Sequence, residues 1–132
     1  MPADVYTPTV TDKLWGKTRC IQFGNHIEIW HASIRKGGYS SKHCHTKKFN
    51  DFYVVSGELE VEFYLTKDAA VPYKIALLTA GQRLTTDLNE WHRFRALTDV
   101  ELIENYWNTI DPTDIERHDE GGCDDGTQPA AA

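Results

Sequence analysis

The stretch from Glu58 to Leu65, ELEVEFYL, constrains the fold of this chain more than any other feature of the sequence. Apolar and polar side chains alternate there, with Leu59, Val61, Phe63 and Leu65 at one parity and Glu58, Glu60, Glu62 and Tyr64 at the other. Because successive side chains of a β-strand point to opposite faces of a sheet, this pattern predicts a strand with one face in a core and the other mostly in water.

Further segments of the chain resemble strands, although each signal is weaker. They are short, rich in β-branched and aromatic residues, and read RCIQF, HIEIWHASIR, DFYVVSG, YKIALLT, RLTT, HRFRAL and VELIENYW. Turn-forming residues separate them, namely Gly37-Gly38, Gly57, Pro72, Gly81 and Leu88-Asn89. About eight short strands predict an all-β sandwich or small barrel. In DPTDIERHDE, near the C-terminus, Pro112 suits a first helical turn, so at most one short helical turn is expected there.

The length of 132 residues predicts one domain, which we place at residues 1–118 with an N-terminal arm. Hydrophobic residues make up 40% of the sequence and charged residues 26%, which is typical of a soluble globular protein. From Asp119 the sequence DEGGCDDGTQPAAA is rich in Gly and Asp and has no large apolar residue. A mobile acidic tail is therefore expected at residues 119–132.

Charge and hydropathy exclude several classes of function. The net charge is −6 and the basic residues are dispersed, which argues against nucleic acid as a partner. No apolar run approaches the 18 or so residues of a membrane helix, so no membrane partner is expected. The first residues lack the basic and apolar regions of a signal peptide, which predicts the cytoplasm. The three cysteines, Cys20, Cys44 and Cys123, are far apart and support neither a disulfide framework nor a zinc knuckle.

The segment HCH places two histidines, His43 and His45, one residue apart. On a strand both would point the same way, with Cα atoms about 6 to 7 Å apart, and their imidazoles could reach one ion. Such a pair is weak evidence by itself, because exposed or hydrogen-bonded histidines are the ordinary alternative. His31, in a neighbouring predicted strand, either lines a cavity or simply packs, whereas His26 and His118 belong to no motif.

A wider pattern surrounds this pair. Gly37 is followed by five residues, His43-x-His45, four residues, Asn50, six residues and Gly57; later, Gly81 is followed by five residues, Asp87, Asn89 and His92. Together these resemble the two motifs of the cupin superfamily, G(x)5HxH(x)4E(x)6G and G(x)5PxG(x)2H(x)3N. The resemblance covers roughly Trp15 to Glu120. It implies a double-stranded β-helix, the cupin or jelly-roll barrel, with a metal bound between its sheets by residues of both motifs.

The chain departs from the family pattern at four positions. Asp87 and Asn89 replace Pro and Gly, but both residue types tolerate tight turns and left-handed backbone. Ala96 replaces an Asn, and Asn50 replaces the glutamate that is the anionic metal ligand of the family. Asp51 is adjacent, but strand alternation turns it to the opposite face unless a bulge intervenes, and we interpret it as a surface carboxylate near Lys47 and Lys48.

The predicted metal ligands are therefore His43, His45 and His92, assisted by Asn50 or water. Three neutral imidazoles suit a divalent transition metal such as Zn, Fe, Ni, Mn or Cu better than magnesium or calcium. Phe52 and Phe94 share strand parity with Asn50 and His92, so they should point into the cavity and contribute to substrate binding.

Four segments resemble the sugar-phosphate cupins, in particular the isomerase domain of type II phosphomannose isomerases: DKLWGK, YVVSG, WHRFRALTDVELIE and DPTDIERHDE. That family uses Gln, His, Glu and His as ligands; here His43 takes the Gln position and Asn50 the Glu position. The resemblance implies a sugar or sugar-phosphate isomerase or epimerase, or a carbohydrate-binding protein. Small cupins are often homodimers, and the same is expected here.

Aldose–ketose isomerisation needs a Lewis acid, a base and cations that hold a phosphate. Glu104, within the apolar segment VELIENYW, is the candidate catalytic base, although a carboxylate at a strand edge or paired with an arginine is the alternative. Arg35, Lys42, Arg93 or Arg95 could bind an anion, unless these residues are solvated at the surface. Two further functions stay open: a three-histidine Fe(II) dioxygenase, and a non-catalytic protein that binds or senses a small molecule.

Overall fold

The computed structural model describes residues 4–108, 113–118 and 120–121. Nine strands lie within these residues, and no helix does: β1 (Val10–Lys13), β2 (Gly16–Phe23), β3 (Ile27–Ile34), β4 (Phe49–Ser56), β5 (Glu58–Tyr64), β6 (Lys74–Thr79), β7 (Arg83–Thr86), β8 (Trp91–Ala96) and β9 (Val100–Trp107). Accordingly, no helix of this part of the chain has the length and apolar character needed to span a membrane.

The strands form two antiparallel sheets that face each other. The larger sheet has the order β1-β2-β3-β9-β4-β7, and the smaller has the order β6-β5-β8. Strand β9, the last strand among the described residues, is inserted between β3 and β4, whereas β5 separates β6 from β8. This arrangement confirms the predicted all-β double-stranded β-helix.

The core lies between the two sheets and follows the alternation read from the sequence. Leu59, Val61 and Phe63 of β5 are buried as predicted, and they join a cluster of apolar residues contributed by both sheets: Ala32, Ile34, Phe52, Val54, Leu78, Phe94, Ala96, Val100 and Leu102. Leu65 does not belong to it, because β5 ends at Tyr64 and Leu65 is 75% exposed.

The outer face of β5 is less exposed than its acidic residues suggest. Glu62 and Tyr64 are both buried there. The phenol of Tyr64 donates a hydrogen bond of 2.6 Å to Glu62, Arg95 donates one of 3.1 Å to the same carboxylate, and the ammonium of Lys42 lies 4.2 Å from the centre of the Tyr64 ring. Long basic side chains thus cover polar residues that would otherwise face water.

Two glycines permit close approach of neighbouring segments. Gly57, which joins β4 to β5, has a φ of 91°, and a Cβ there would lie 2.1 Å from the carbonyl oxygen of Asp99. At Gly16 a Cβ would lie 1.9 Å from the carbonyl oxygen of Ser33. Gly16 follows the tight turn between β1 and β2, and β1 is the strand that the sequence pattern did not predict.

The predictions for the chain ends fall largely outside the described residues. Within DPTDIERHDE, residues 113–118 contain no helix, and Pro112 is not among the described residues. Of the predicted acidic tail at 119–132, only Glu120 and Gly121 are described, and Cys123 is not. Residues 4–9 precede β1 as an arm without strand structure.

Candidate metal centre

His43 and His45 come from the segment between β3 and β4, and His92 comes from β8. His43 forms an isolated β-bridge with His92, whereas Cys44 and His45 lie in no strand or bridge. In that bridge the His43 amide donates to the His92 carbonyl at 3.0 Å, and the reverse bond measures 2.9 Å. We call His43, His45 and His92 the histidine triad.

A one-residue irregularity directs His43 inward. Tyr39 pairs with Arg95 and His43 pairs with His92, so four steps along the segment oppose three steps along β8. Tyr39 therefore shares the outer face with Arg95, whereas His43 shares the inner face with His92. Ser40 is still in register, since its amide donates to the Phe94 carbonyl at 3.1 Å and its hydroxyl accepts the Phe94 amide at 3.0 Å, so the extra residue lies between Ser40 and His43. Such an extra residue is a β-bulge, which re-aims a side chain without ending the pairing.

The turn before His92 joins the two motifs. Asn89 adopts a φ of 62°, the left-handed conformation that the sequence analysis allowed at this position. Its amide donates a hydrogen bond of 2.7 Å to the carbonyl of His45. The residues that differ from the usual Pro and Gly of the second motif thus still form a tight turn.

The three imidazoles of the triad converge. One nitrogen from each lies within 4.8 Å of the other two, and the ring centroids are 4.6 to 5.6 Å apart. Among the described residues no other group of His, Cys, Asp or Glu side chains clusters in this way. Imidazole nitrogens so close together can be bridged by one ion.

Hydrogen bonds fix which nitrogen of the ring faces the centre. Nδ1 of His92 lies 2.8 Å from the Glu90 carbonyl and Nδ1 of His43 lies 2.8 Å from the Ser41 carbonyl. A carbonyl only accepts, so each Nδ1 carries the proton and each Nε2 presents a lone pair. The Nε2 atoms of His92 and His45 are buried with no hydrogen-bond partner among the described residues. His92 combines both features of a metal ligand: its Nε2 lone pair is buried and unpartnered, and its Nδ1 is held by a carbonyl.

The triad is neutral at physiological pH. Burial lowers the pKa of His92 to about 4, and burial together with the nearby His43 and Lys48 lowers that of His45 to about 4. The pKa of His43 is also lowered, by burial above all, while its hydrogen bond to Ser41 acts in the opposite direction. Neutral imidazole is the form that binds a metal.

Asn50 shares the inner face of β4 with Phe52, whose ring lies 6.0 Å from that of His92, and strand alternation therefore directs Asn50 toward the triad. Its side chain is fully buried, and neither its Oδ1 nor its Nδ2 has a hydrogen-bond partner among the described residues. In the sheet Asn50 stands between Thr86 and Tyr106, and the ring of Tyr106 lies 5.4 Å from that of His45. The buried, unpartnered amide therefore fits the role of a neutral additional donor.

Asp51 faces away from the triad, as strand alternation predicts, but its surroundings differ from those expected. It is buried rather than at the surface. Its carboxylate accepts hydrogen bonds from Arg83 at 3.2 Å, Thr85 at 3.0 Å and Asn105 at 3.4 Å, and not from Lys47 or Lys48. The interpretation as a surface carboxylate beside the lysines is therefore wrong.

A cavity of about 250 Å³ opens beside the triad. We call it the triad cavity, and its lining comprises Lys13, Trp15, Thr18, Trp30, Ser40, Ser41, His43, Phe94, Glu104 and Tyr106. Aromatic rings form much of the wall, and His43 is the triad member that borders the space. The cavity has the mixed apolar and polar lining of a ligand site, and its volume suits a molecule of only a few heavy atoms.

Glu104 projects into this cavity from the middle of the larger sheet. Strand β9 places it between Trp30 of β3 and Phe52 of β4, so neither a strand edge nor an arginine pair explains it within the described residues. Burial raises the pKa of Glu104 to about 7, although hydrogen bonding from Tyr106 and the charge of Lys48 act in the opposite direction. Burial and Glu104 in turn raise the pKa of Tyr106 well above its ordinary value.

The two predicted phenylalanines point inward. Phe52 is fully buried and its ring centroid lies 6.0 Å from that of His92. Phe94 lines the triad cavity and contacts the ring of Trp15 edge-on at 5.3 Å.

The two predicted arginines lie elsewhere. Arg93 is on the outer face of β8, where its Nε donates to the Ser40 carbonyl and its guanidinium lies over the ring of Tyr39. Arg35 donates to the Leu14 carbonyl and borders another cavity, of about 390 Å³, near the start of β9. The structure therefore does not bring either arginine to the triad.

The remaining cations and His31 are also engaged elsewhere. Lys42 donates to the carbonyls of Lys67 and Ala69, and Arg95 binds Glu62. His31 faces outward, where its Nε2 lies 2.6 Å from Glu101, so it does not line the triad cavity. The cation that does line the cavity is Lys13, which the sequence analysis missed because β1 has no clear strand pattern.

The fold and this site define the chain as a cupin-fold protein with a three-histidine candidate metal centre. No protein-family model matches the sequence, and a search of curated proteins finds no match. The structure is similar to that of KdgF from Halomonas sp., at 17% identity and a TM-score of 0.65, over 77% of this chain and 89% of that one. It is also similar to an RmlC-like cupin from Shewanella frigidimarina, at 22% identity and a TM-score of 0.64, over 77% and 85%.

A third similar structure is oxalate decarboxylase from Bacillus subtilis, a protein with Mn(II) centres, at 15% identity and a TM-score of 0.65. The match covers 76% of this chain but only 27% of that longer one. Identities this low establish the shared fold and no shared activity.

Proposed function

We propose that this protein is a metal-dependent enzyme that transfers a proton within a small hydroxylated carbonyl compound, the reaction class of sugar isomerases and epimerases. The observation that carries the proposal is that Glu104 and His43 border the same cavity. A carboxyl group poised to gain or lose a proton thus lies in the same small space as the candidate metal ligands.

The histidine triad and Asn50 fit a divalent transition metal, since all four donors are neutral and the donor atoms of His45, His92 and Asn50 are buried and unpartnered among the described residues. The Mn(II) centres of the similar oxalate decarboxylase support a metal of this class. A bound ion would supply Lewis acidity that polarises a carbonyl or hydroxyl oxygen.

Glu104 supplies the acid–base chemistry. With a pKa of about 7, its carboxyl group is present in both protonation states near neutral pH, so it can accept a proton from carbon and return it. Tyr106, two residues along the same strand, hydrogen-bonds the carboxylate and holds it toward the cavity. Trp15, Trp30 and Phe94 form apolar walls that limit the access of water.

Oxygen chemistry is the second candidate function. The observation in favour of this function is that the described cluster contains three histidines and no acidic residue. This is the donor set expected for a three-histidine Fe(II) dioxygenase. A dioxygenase has no evident need for Glu104, however, which is why we place proton transfer first. A protein that only binds or senses a small molecule would catalyse neither proton transfer nor oxidation.

Deuterium incorporation tests the proposal. Metal-loaded protein is incubated in D2O with aldoses, ketoses and their phosphates, and exchange at the carbon beside the carbonyl is followed by NMR. We expect exchange with the wild type, and a loss of about 10² to 10⁴-fold in Glu104→Gln at unchanged metal content. Glu101→Gln is the matched control, because Glu101 lies on the outer face of the same strand.

The same samples separate the alternatives. Oxygen uptake by the iron-loaded protein without deuterium exchange would replace the proposal with a dioxygenase. Saturable sugar binding with neither exchange nor oxygen uptake would replace it with a binding protein. A homodimer and a cytoplasmic location stay predictions, which sedimentation and cell fractionation can check.

A further inference from the structure

The donors available at the histidine triad carry no negative charge. The described cluster consists of three imidazoles, and no aspartate, glutamate or cysteine of the described residues belongs to it. Asn50, the buried polar residue beside the triad, contributes a neutral amide. The protein therefore leaves the full charge of a divalent ion uncompensated at the ligand atoms.

The charges around the triad do not supply the missing compensation. Lys48 and Glu28 form an ion pair of 2.7 Å and largely cancel each other. In the triad cavity the charged groups are Lys13 and Glu104. The ammonium of Lys13 has no hydrogen bond or ion pair with any residue that the structure describes. A divalent cation and one ammonium outweigh a single carboxylate, even when Glu104 is ionised.

We infer that the triad cavity selects a small ligand with an anionic oxygen group, a carboxylate or a phosphate, and that Asn50 determines this selectivity by withholding a carboxylate. The ligand then provides the negative charge that the ion lacks, and Lys13 binds the same anion at the cavity wall. The inference rests on the proposed metal site and deepens it, because it assigns acidic compounds, rather than neutral sugars, as the substrate class. Buried charges need such compensation far more than exposed ones do.

The experiment uses the full chain loaded with Co(II), whose visible absorption reports changes of coordination. Glycolate, methyl phosphate and glycolamide are titrated separately; glycolamide has nearly the shape of glycolate but no charge. We expect at least one anion to bind about tenfold to a hundredfold more tightly than glycolamide, since only the anion gains the attraction of the ion at contact distance. The stronger of the two anions identifies the group.

Two variants test the assignment to residues. Asn50→Asp places a carboxylate beside the triad, so it should bind Co(II) more tightly and lose the preference for the anion over glycolamide. Lys13→Gln, at an exposed position that does not endanger folding, should weaken anion binding several-fold and leave Co(II) affinity unchanged. Circular dichroism establishes that each variant is folded.

The outcomes separate this inference from the proposed function. Co(II)-loaded wild type that binds glycolate and methyl phosphate no more tightly than glycolamide would overturn the inference alone. An anion preference that survives in both variants would also overturn it. Failure of the wild type to bind Co(II) would instead remove the proposed metal site, and the inference with it.

Discussion

At the scale of single residues, His92 is the residue on which the candidate centre depends most. It is the most buried member of the triad, and both of its neighbours in the triad approach it within 5.6 Å between ring centroids. Its Nδ1 is held by the Glu90 carbonyl, so its Nε2 is oriented before any ion binds. Preorganisation of this kind reduces the cost of assembling a site.

Replacing His92 should remove the metal. We expect His92→Ala, purified beside the wild type without added metal, to contain little or no transition metal by elemental analysis, with affinity reduced about a hundredfold or more. His31→Ala is the control, because His31 lies on the outer face of the larger sheet. Equal metal content in His92→Ala and the wild type would exclude His92 from the site.

Glu104 should make the stability of the metal-free protein depend on pH. Its pKa is about 7 in the folded chain and 4.5 in the reference state, so the folded state binds the proton more strongly between these values. The stabilisation is fully present below pH 4.5 and is lost as the pH rises through 7. Glu104→Gln lacks this titration.

The measurement is the melting temperature of both proteins, stripped of metal, between pH 5 and pH 8. As the pH rises, the melting temperature of Glu104→Gln should increase relative to that of the wild type, because only the wild type loses stability when Glu104 ionises. A difference that is constant over this range would show that Glu104 titrates normally.

The residue scale is also where sequence reasoning worked best. The resemblance to the two cupin motifs selected His43, His45 and His92, whose nitrogens lie within 4.8 Å of one another in the folded chain. The same reasoning allowed a left-handed backbone at Asn89, and the φ of 62° agrees. It could not select Lys13, because that residue becomes relevant only when β1 folds onto β2 beside the cavity.

At the scale of elements, the turn between β4 and β5 positions the second half of the barrel. Gly57 has positive φ and lies against the backbone of Asp99, so it carries two constraints, one conformational and one steric. Gly81 has a similar φ of 85°, but a Cβ added there would meet no atom within 4 Å. Gly81 therefore carries only the conformational constraint, whereas Gly57 carries the conformational and the steric constraint together.

Alanine at these two glycines should destabilise the protein unequally. We expect Gly81→Ala to cost about 1 to 2 kcal/mol, because only the left-handed conformation is penalised. Gly57→Ala should cost roughly 3 kcal/mol or more, because the Asp99 backbone must also move. Urea denaturation of both variants measures the difference, and equal losses would show that the contact between Gly57 and Asp99 relaxes freely.

Elements were predicted unevenly from the sequence, and the reason is physical. β5 was clear because its two faces differ in polarity. The segment of His43 and His45 matched no strand pattern, and the irregular pairing that turns His43 inward was not visible in the sequence. A bulge shifts the parity of side chains without any marked change in composition. The positions of Arg35 and Arg93 away from the triad could not be predicted either, because charge alone does not indicate on which face a side chain lies.

At the scale of the whole molecule, the triad connects two segments that are distant in sequence. His43 and His45 precede β4, whereas His92 lies in β8. The two segments are joined directly by the backbone hydrogen bonds between His43 and His92. The imidazoles at this junction are neutral, and the Nε2 atoms of His45 and His92 have no hydrogen-bond partner among the described residues. An ion that bridges them would bind the folded state and not the unfolded chain.

Metal should therefore stabilise the entire domain. A ligand at about 100 times its dissociation constant adds about 2.7 kcal/mol to the free energy of unfolding, which for a domain of this size raises the melting temperature by roughly 10 °C. We expect this increase when Zn(II) is added to stripped wild type, and its reversal by a chelator. His45→Ala should show little or none of it, because two imidazoles hold the ion much less well than three, whereas His26→Ala, which leaves the triad intact, should retain it. An equal increase in His45→Ala would place the bound metal elsewhere on the chain and would separate the stability of the barrel from its candidate centre.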